Sequence, residues 1–146
     1  MLQDFVCMDL KQSPRSAKEK VGWVKSDEGW IKVNTDGAFD AKTGNGGSSM
    51  ILRGHGGDVI AVEAKWYSLL PDALTSEALA ARDGLLLAVA HGCSRVILET
   101  DCSELVNPIT SQTGARSPIS GLWHEIRELS RVFLNFQCVF VSREAN

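Results

Sequence analysis

The amino-acid sequence predicts an α/β domain, a five-stranded mixed sheet with helices packed on it, whose elements run β-β-β-α-β-α-α-β. Between Trp30 and Tyr67, three runs of strand-like residues are set apart by Gly/Asn/Asp clusters, the mark of an antiparallel meander. After Leu74 the apolar residues recur every three or four positions, and helical segments then alternate with short apolar runs, as in strands joined by helices. The 146 residues suffice for one domain with a real core.

In the first run, "WIKVNTD", Ile31, Val33 and Thr35 share one side, and Lys32, Asn34 and Asp36 share the other. It stops on Asp36-Gly37, which is either hairpin punctuation or a carboxylate held at the end of a rigid element. The glycine-rich "KTGNGG" leads to the second strand, "SMILRG", and "HGGD" leads to the third, "VIAVEAKWY". The first helix lies in "LTSEALAARDGLLLAVAHGC", with Leu74, Ala78, Ala81, Leu85, Ala88 and Val89 on its apolar stripe. Thr75 or Ser76 is placed to cap its start, and Gly92 to stop it. Glu77 then falls in the first turn at the border of the stripe, while Asp83 points away. "RVILETD" is a fourth strand ending on an acid, Asp101. "CSELVNPITSQTG" is a helix that Pro108 shortens or kinks. "PISGLWHEIRELSRVF" is amphipathic through Ile119, Leu122, Trp123, Ile126 and Leu129, and "FQCVFVSRE" is the fifth strand. Residues 1–22, with "LKQSPRSAKEK", read as a flexible lead-in to a domain at 23–146.

Composition narrows the function classes. With 44% hydrophobic and 23% charged residues, no bilayer-length apolar run and no signal-peptide pattern, the sequence reads as soluble and intracellular, in nucleus or cytoplasm. Cys7, Cys93, Cys102 and Cys138 form no CxxC pair, so reduced thiols are expected. A net charge of −3 argues against a basic, non-specific nucleic-acid binder, but not against an enzyme that meets phosphates through bound cations. "TGNGG" does not open a helix, which argues against a dinucleotide-binding or P-loop reading. His55, His91 and His124 lack ligand spacing, Trp66 and Trp123 are expected in the core, and Arg82 and Arg116 in solvent.

Each of Asp36, Glu77 and Asp101 has an ordinary role open to it, as a turn residue, a dipole partner or a helix cap. Together, three acids at the ends of elements form a candidate site for hard divalent cations such as Mg2+, which take oxygen ligands and keep waters and substrate phosphates in their shell.

The blocks "GWIKVNTDGAF", "TSEALAARDGLLLAVAHGC", "VILETDC" and "FVSREAN", in this order and spacing, resemble the plant RNase H-like domain. That group is a type-1 RNase H relative with the RNase H-like fold, found in retroelement-derived, reverse-transcriptase-like reading frames. Trp23, seven residues before Trp30, resembles the group's leading tryptophan, and the likeness covers about residues 23–146. The resemblance implies that Asp36, Glu77 and Asp101 are catalytic and bind two Mg2+ ions, with Mn2+ an alternative. It implies hydrolysis of the RNA strand of an RNA–DNA hybrid, leaving a 5′-phosphate and a 3′-hydroxyl. Gly37, Asn34 and Arg143 become candidate substrate contacts, and a monomer is expected. Three departures accompany it. Arg143 and Asn146 match the start of the family's "RxxNxxAD", but the aspartate four positions on, and the helix bearing it, are missing. Ser49 and Gly54 replace a usual glycine and a usual aspartate. No histidine stands near the C-terminus, where Arg143 lies. A second reading is therefore an impaired module that binds nucleic acid or protein. A 3′→5′ exonuclease is disfavoured, because Asp36-Gly37-Ala38 offers a single acid where that class has Asp-x-Glu.

Overall fold

The computed structural model describes residues 29–110 and 119–142, and the expected order of elements is present. Strand β1 spans Trp30–Asp40, β2 Asn45–Arg53, β3 Val59–Tyr67, β4 Arg95–Thr100 and β5 Asn135–Phe140. Helix α1 spans Ala73–Ala90, α2 Ser103–Thr110 and α3 Ser120–Ser130. The sheet order is β3-β2-β1-β4-β5, antiparallel on the β3-β2-β1 side and parallel on the β1-β4-β5 side. The lead-in at 1–22, Cys7, Trp23, Arg116, Arg143 and Asn146 lie outside the described residues.

The three helices touch one another and form one layer. Between that layer and the sheet sit Val33, Leu52, Val96 and Leu98 from the strands, Ala78, Ala81, Leu85 and Ala88 from α1, and Trp123 and Ile126 from α3. Alternation along the strands sets this face: Val33 and Thr35 are buried, while Lys32 and Asn34 are only partly so. Among the described residues no helix is long and apolar enough to cross a membrane. Cys93, Cys102 and Cys138 are free thiols, as expected.

Four local expectations are corrected. Strand β1 does not end at Asp36 but runs through Gly37 to Asp40, because β2 keeps pairing with it as far as Asp40↔Asn45. The reversal comes later, where the Gly44 N–H donates to the Asp40 carbonyl at 2.8 Å and Gly44 takes a φ of +77°. Helix α1 starts earlier than Thr75 or Ser76 would allow. Its cap is Asp72, whose carboxylate accepts from the Thr75 N–H at 2.8 Å and the Thr75 hydroxyl at 2.6 Å, bonds that hold the Asp72 carboxyl below its ordinary range. Glu77 therefore lies in the second turn, where the helix dipole gives it little. Val89 is 39% exposed and lies off the buried stripe. The stop at Gly92 is as expected: its φ is +71°, its N–H reaches the Val89 carbonyl at 3.0 Å, and the Cys93 N–H reaches the Ala88 carbonyl at 3.1 Å.

Helix α1 sits unusually close to the sheet at Gly84. A Cβ there would lie 2.6 Å from Thr35 Cγ2 and 2.8 Å from Val33 Cγ1. Alanine at 84 would gain about 1 kcal/mol of helix propensity but lose about 1–3 kcal/mol to overpacking. At Gly121 in α3 a Cβ would meet nothing within 4 Å. Urea unfolding should therefore show Gly84→Ala less stable than the parent, and Gly121→Ala more stable by about 0.5 kcal/mol. Equal effects of the two changes would refute the close seating of α1.

Candidate functional site

The site arises where two neighbouring strands differ in length. Parallel pairing of β1 with β4 ends at Thr35↔Thr100, so Asp36 and Asp101 stand side by side, each one residue past the last pair. Strand β1 continues without β4 beside it, and on that side the Gly37 N–H donates to a Glu77 carboxylate oxygen at 3.2 Å. This bond ties the third acid, carried on α1, to the backbone beside the first. Each of Asp36, Glu77 and Asp101 can offer one carboxylate oxygen such that the three lie within 4.8 Å of one another. Asp36 is exposed, and Glu77 and Asp101 are half-buried.

Gly37 has a structural reason to be glycine. A Cβ would stand 2.5 Å from both the carbonyl carbon and the carbonyl oxygen of Ser76, and 2.7 Å from the Glu77 nitrogen. Those are backbone atoms, which cannot swing aside as a side chain would. The glycine thus lets α1 lie against β1 closely enough to deliver Glu77.

The donor set fits a hard divalent cation. Carboxylates on three separate elements converge, all donors are oxygen, and like charges this close favour a bound cation. No imidazole or thiol joins the cluster; among the described residues it is the sole group of acids, histidines and cysteines close enough to share an ion. Cys102 follows Asp101, but burial, and after it the charge of Glu77, pushes its thiol up and leaves it a poor nucleophile.

The other candidate contacts differ in position. Asn34 pairs across the sheet with Glu99, and its amide donates to the Glu99 carboxylate at 2.7 Å. Lys32 Nζ lies 3.5 Å from the same carboxylate. Asn34 is therefore engaged two residues behind the acids, and Arg143 is outside the described residues. At Gly54, a Cβ would come within 2.8 Å of Asp58 Oδ1, so the Asp58 carboxylate lies over that backbone.

Sequence reasoning missed Asp83. It does not point into solvent but is 1% exposed. Its carboxylate accepts from the Ser48 hydroxyl at 2.9 Å, the Tyr67 hydroxyl at 2.6 Å and the Arg82 guanidinium at 3.1 Å. Arg82, expected in solvent, also reaches the Tyr67 oxygen at 3.1 Å and Glu125 at 3.7 Å. The available signal was a second row on α1, with Ser76, Leu79 and Ala80 standing seven, four and three residues before Asp83 and all buried. Trp123 is in the core as expected, whereas Trp66 is 69% exposed.

Comparison with known proteins adds the following. The profile of a family described as reverse transcriptase-like matches residues 34–146. A search of curated protein sequences finds no match. Among solved structures, RNase H1 from the halophilic archaeon Halobacterium salinarum superposes with a TM-score of 0.73 at 19% identity, over 79% of this chain and 87% of that one. The N-terminal RNase H domain of a Mycobacterium tuberculosis protein gives 0.74 at 18% identity, over 80% and 85%. LC11-RNase H1, isolated from compost by a metagenomic approach, was solved in complex with an RNA/DNA hybrid. That complex gives 0.71 at 16% identity, over 80% and 88%. At these identities the likeness establishes a shared fold.

The Asp83 network can be checked without an assay of function, because Tyr67 is the chain's one tyrosine. Burial first, then its hydrogen bond to the Asp83 carboxylate, raises the Tyr67 hydroxyl above the ordinary 10.0. The folded state thus binds the tyrosine proton more tightly than the unfolded state, and this contribution to stability is lost as pH rises from about 10 through the raised value. An ultraviolet absorbance titration should show a midpoint above 10.0 in the folded protein, falling back in urea and in Asp83→Asn. An ordinary midpoint in the folded parent would disprove the network.

Proposed function

The chain belongs to the reverse transcriptase-like family and has the RNase H fold, and from that premise we propose that it is a metal-dependent nuclease domain cleaving the RNA strand of RNA–DNA hybrids. The observation that carries this reading is the convergence of Asp36, Glu77 and Asp101 within 4.8 Å on the RNase H scaffold. The hybrid bound by the structurally similar LC11-RNase H1 supports the choice of substrate.

In this reading Asp36, Glu77 and Asp101 hold two Mg2+ ions, for which Mn2+ can substitute. Ions held there supply positive charge that activates a water and stabilises the leaving oxygen of a phosphodiester. The chain's own contribution is placement. Asp36 and Asp101 are fixed by parallel register, and Glu77 is oriented by the Gly37 N–H. Without cations, three carboxylates on a chain of net charge −3 would repel a polyanion, so substrate binding and metal binding are coupled. Attack by water on phosphorus, with departure of the 3′-oxygen, leaves a 5′-phosphate and a 3′-hydroxyl. One chain supplies all three acids, so the working unit is a single copy. Hybrids are distinguished from DNA through 2′-hydroxyls met across the minor groove.

The second reading is an impaired module that binds hybrid without cutting it. One experiment separates the two. A labelled hybrid should be cut by the parent chain in Mg2+ or Mn2+ and not by Asp36→Asn, which should remain folded. Mg2+ should also raise the parent's stability, by about 2.7 kcal/mol at a free concentration 100-fold above its Kd, and raise that of Asp36→Asn far less. Binding without cleavage in either ion would establish the impaired module. A parent that neither binds hybrid nor responds to Mg2+ would refute both.

A further inference from the structure

Strand β3 forms one border of the sheet, and no described strand pairs with its outer side. It is nine residues long and lacks proline, and Val59, Ile60, Val62 and Trp66 are exposed at 53%, 41%, 65% and 69%. Natural edge strands are normally shortened, covered or interrupted to prevent pairing with another chain. Among the described residues its only such protections are two charged side chains and a register slip near its start. Its only charges are Glu63 and Lys65.

The pattern along β3 is self-complementary. Pairing with β2 is regular from Ala61 to Tyr67 and slips at the Leu52/Arg53 step, so the regular segment is centred on Ala64. Glu63 and Lys65 flank that centre on one face, and Val62 and Trp66 flank it on the other. We propose that two copies of this chain associate through β3, antiparallel and two-fold about Ala64, to make a continuous ten-stranded sheet.

In that register Glu63 stands opposite Lys65 of the second copy, twice over, and Val62 stands opposite Trp66, twice over. The charges meet their opposites, and the exposed valine and tryptophan cover each other. A two-fold centred on Glu63 or on Lys65 would set like charges face to face, so the same two residues exclude the neighbouring registers. Both helix layers fall on the same side, and the interface is isologous. The Asp36–Glu77–Asp101 cluster lies at the β1/β4 boundary, with β2 between it and β3, so both sites stay open. A contact of one strand per copy is small, which makes the association reversible and concentration-dependent.

Sedimentation equilibrium over a wide concentration range should show a monomer–dimer equilibrium for the parent chain. Lys65→Glu alone and Glu63→Lys alone should each weaken the dimer by about tenfold or more, since each places like charges opposite one another. Circular dichroism should show both variants folded. Mixed together, the two single variants should form a one-to-one heterodimer, because each then presents the charge the other needs. A parent that stays monomeric at its highest soluble concentration overturns the proposal. So do single variants that dimerise as well as the parent, and so does a mixture that fails to associate.

Discussion

The structure depends above all on how closely α1 lies against β1. Two glycines set that distance, one on each element. Gly37 on β1 accepts the backbone of Ser76 and Glu77, and Gly84 on α1 accepts the side chains of Thr35 and Val33. Neither contact would tolerate a Cβ without movement. Between these two points the helix buries Ala78, Ala80 and Ala81, small residues that hold the same short spacing. The stability of the helix–sheet packing and the position of Glu77 therefore come from one cause. Moving α1 outward would loosen the core and withdraw the glutamate from Asp36 together.

A second fastening prevents the helix from rolling once it is seated. Asp83 lies one residue before Gly84 and receives hydrogen bonds from Ser48 on β2 and Tyr67 on β3. A buried carboxylate is costly unless its oxygens are satisfied, and here a guanidinium and two hydroxyls satisfy them. Because these bonds are directional, they specify the rotation of α1 about its axis, which apolar contact leaves loose. Rotation matters for the site, since Glu77 sits at the edge of the buried face and reaches Asp36 from one orientation only.

Features that depend on short-range pattern were legible in the sequence. The order of elements, the stripe of α3 and the stop at Gly92 follow from alternation, from helical period or from the residue types at the ends of elements. The three acids were legible as carboxylates near such ends, although Asp36 lies inside β1 and Glu77 in the second turn of α1. Features that depend on distant partners were not. Asp83 looks solvent-facing on a helical wheel because its partners are 35 and 16 residues away. The dipeptide Asp36-Gly37 looks like a turn because nothing local reveals that β2 pairs on to Asn45. Trp66 looks like core, yet it is set across from Gly47 near the outer border of the sheet. The cap at Asp72 was overlooked for a different reason: the apolar stripe begins at Leu74, two residues after the helix has been capped.

The mixed character of the sheet explains how acids on two strands could assemble at all. In an antiparallel pair, the C-terminal ends of neighbouring strands lie at opposite ends of the ladder, and two terminal carboxylates would be kept a strand length apart. Strands β1 and β4 are parallel, so their ladder closes at Thr35↔Thr100 and the next residue of each, Asp36 and Asp101, emerges at the same end. On its other side β1 is antiparallel to β2, which supports it as far as Asp40 and keeps Asp36 and Gly37 in extended backbone after β4 has ended. A β1 that stopped at Thr35 would leave Asp36 on a loop, and Gly37 would have no fixed N–H to hold Glu77. The carboxylate cluster is thus a consequence of one strand having a parallel neighbour that ends early and an antiparallel neighbour that does not.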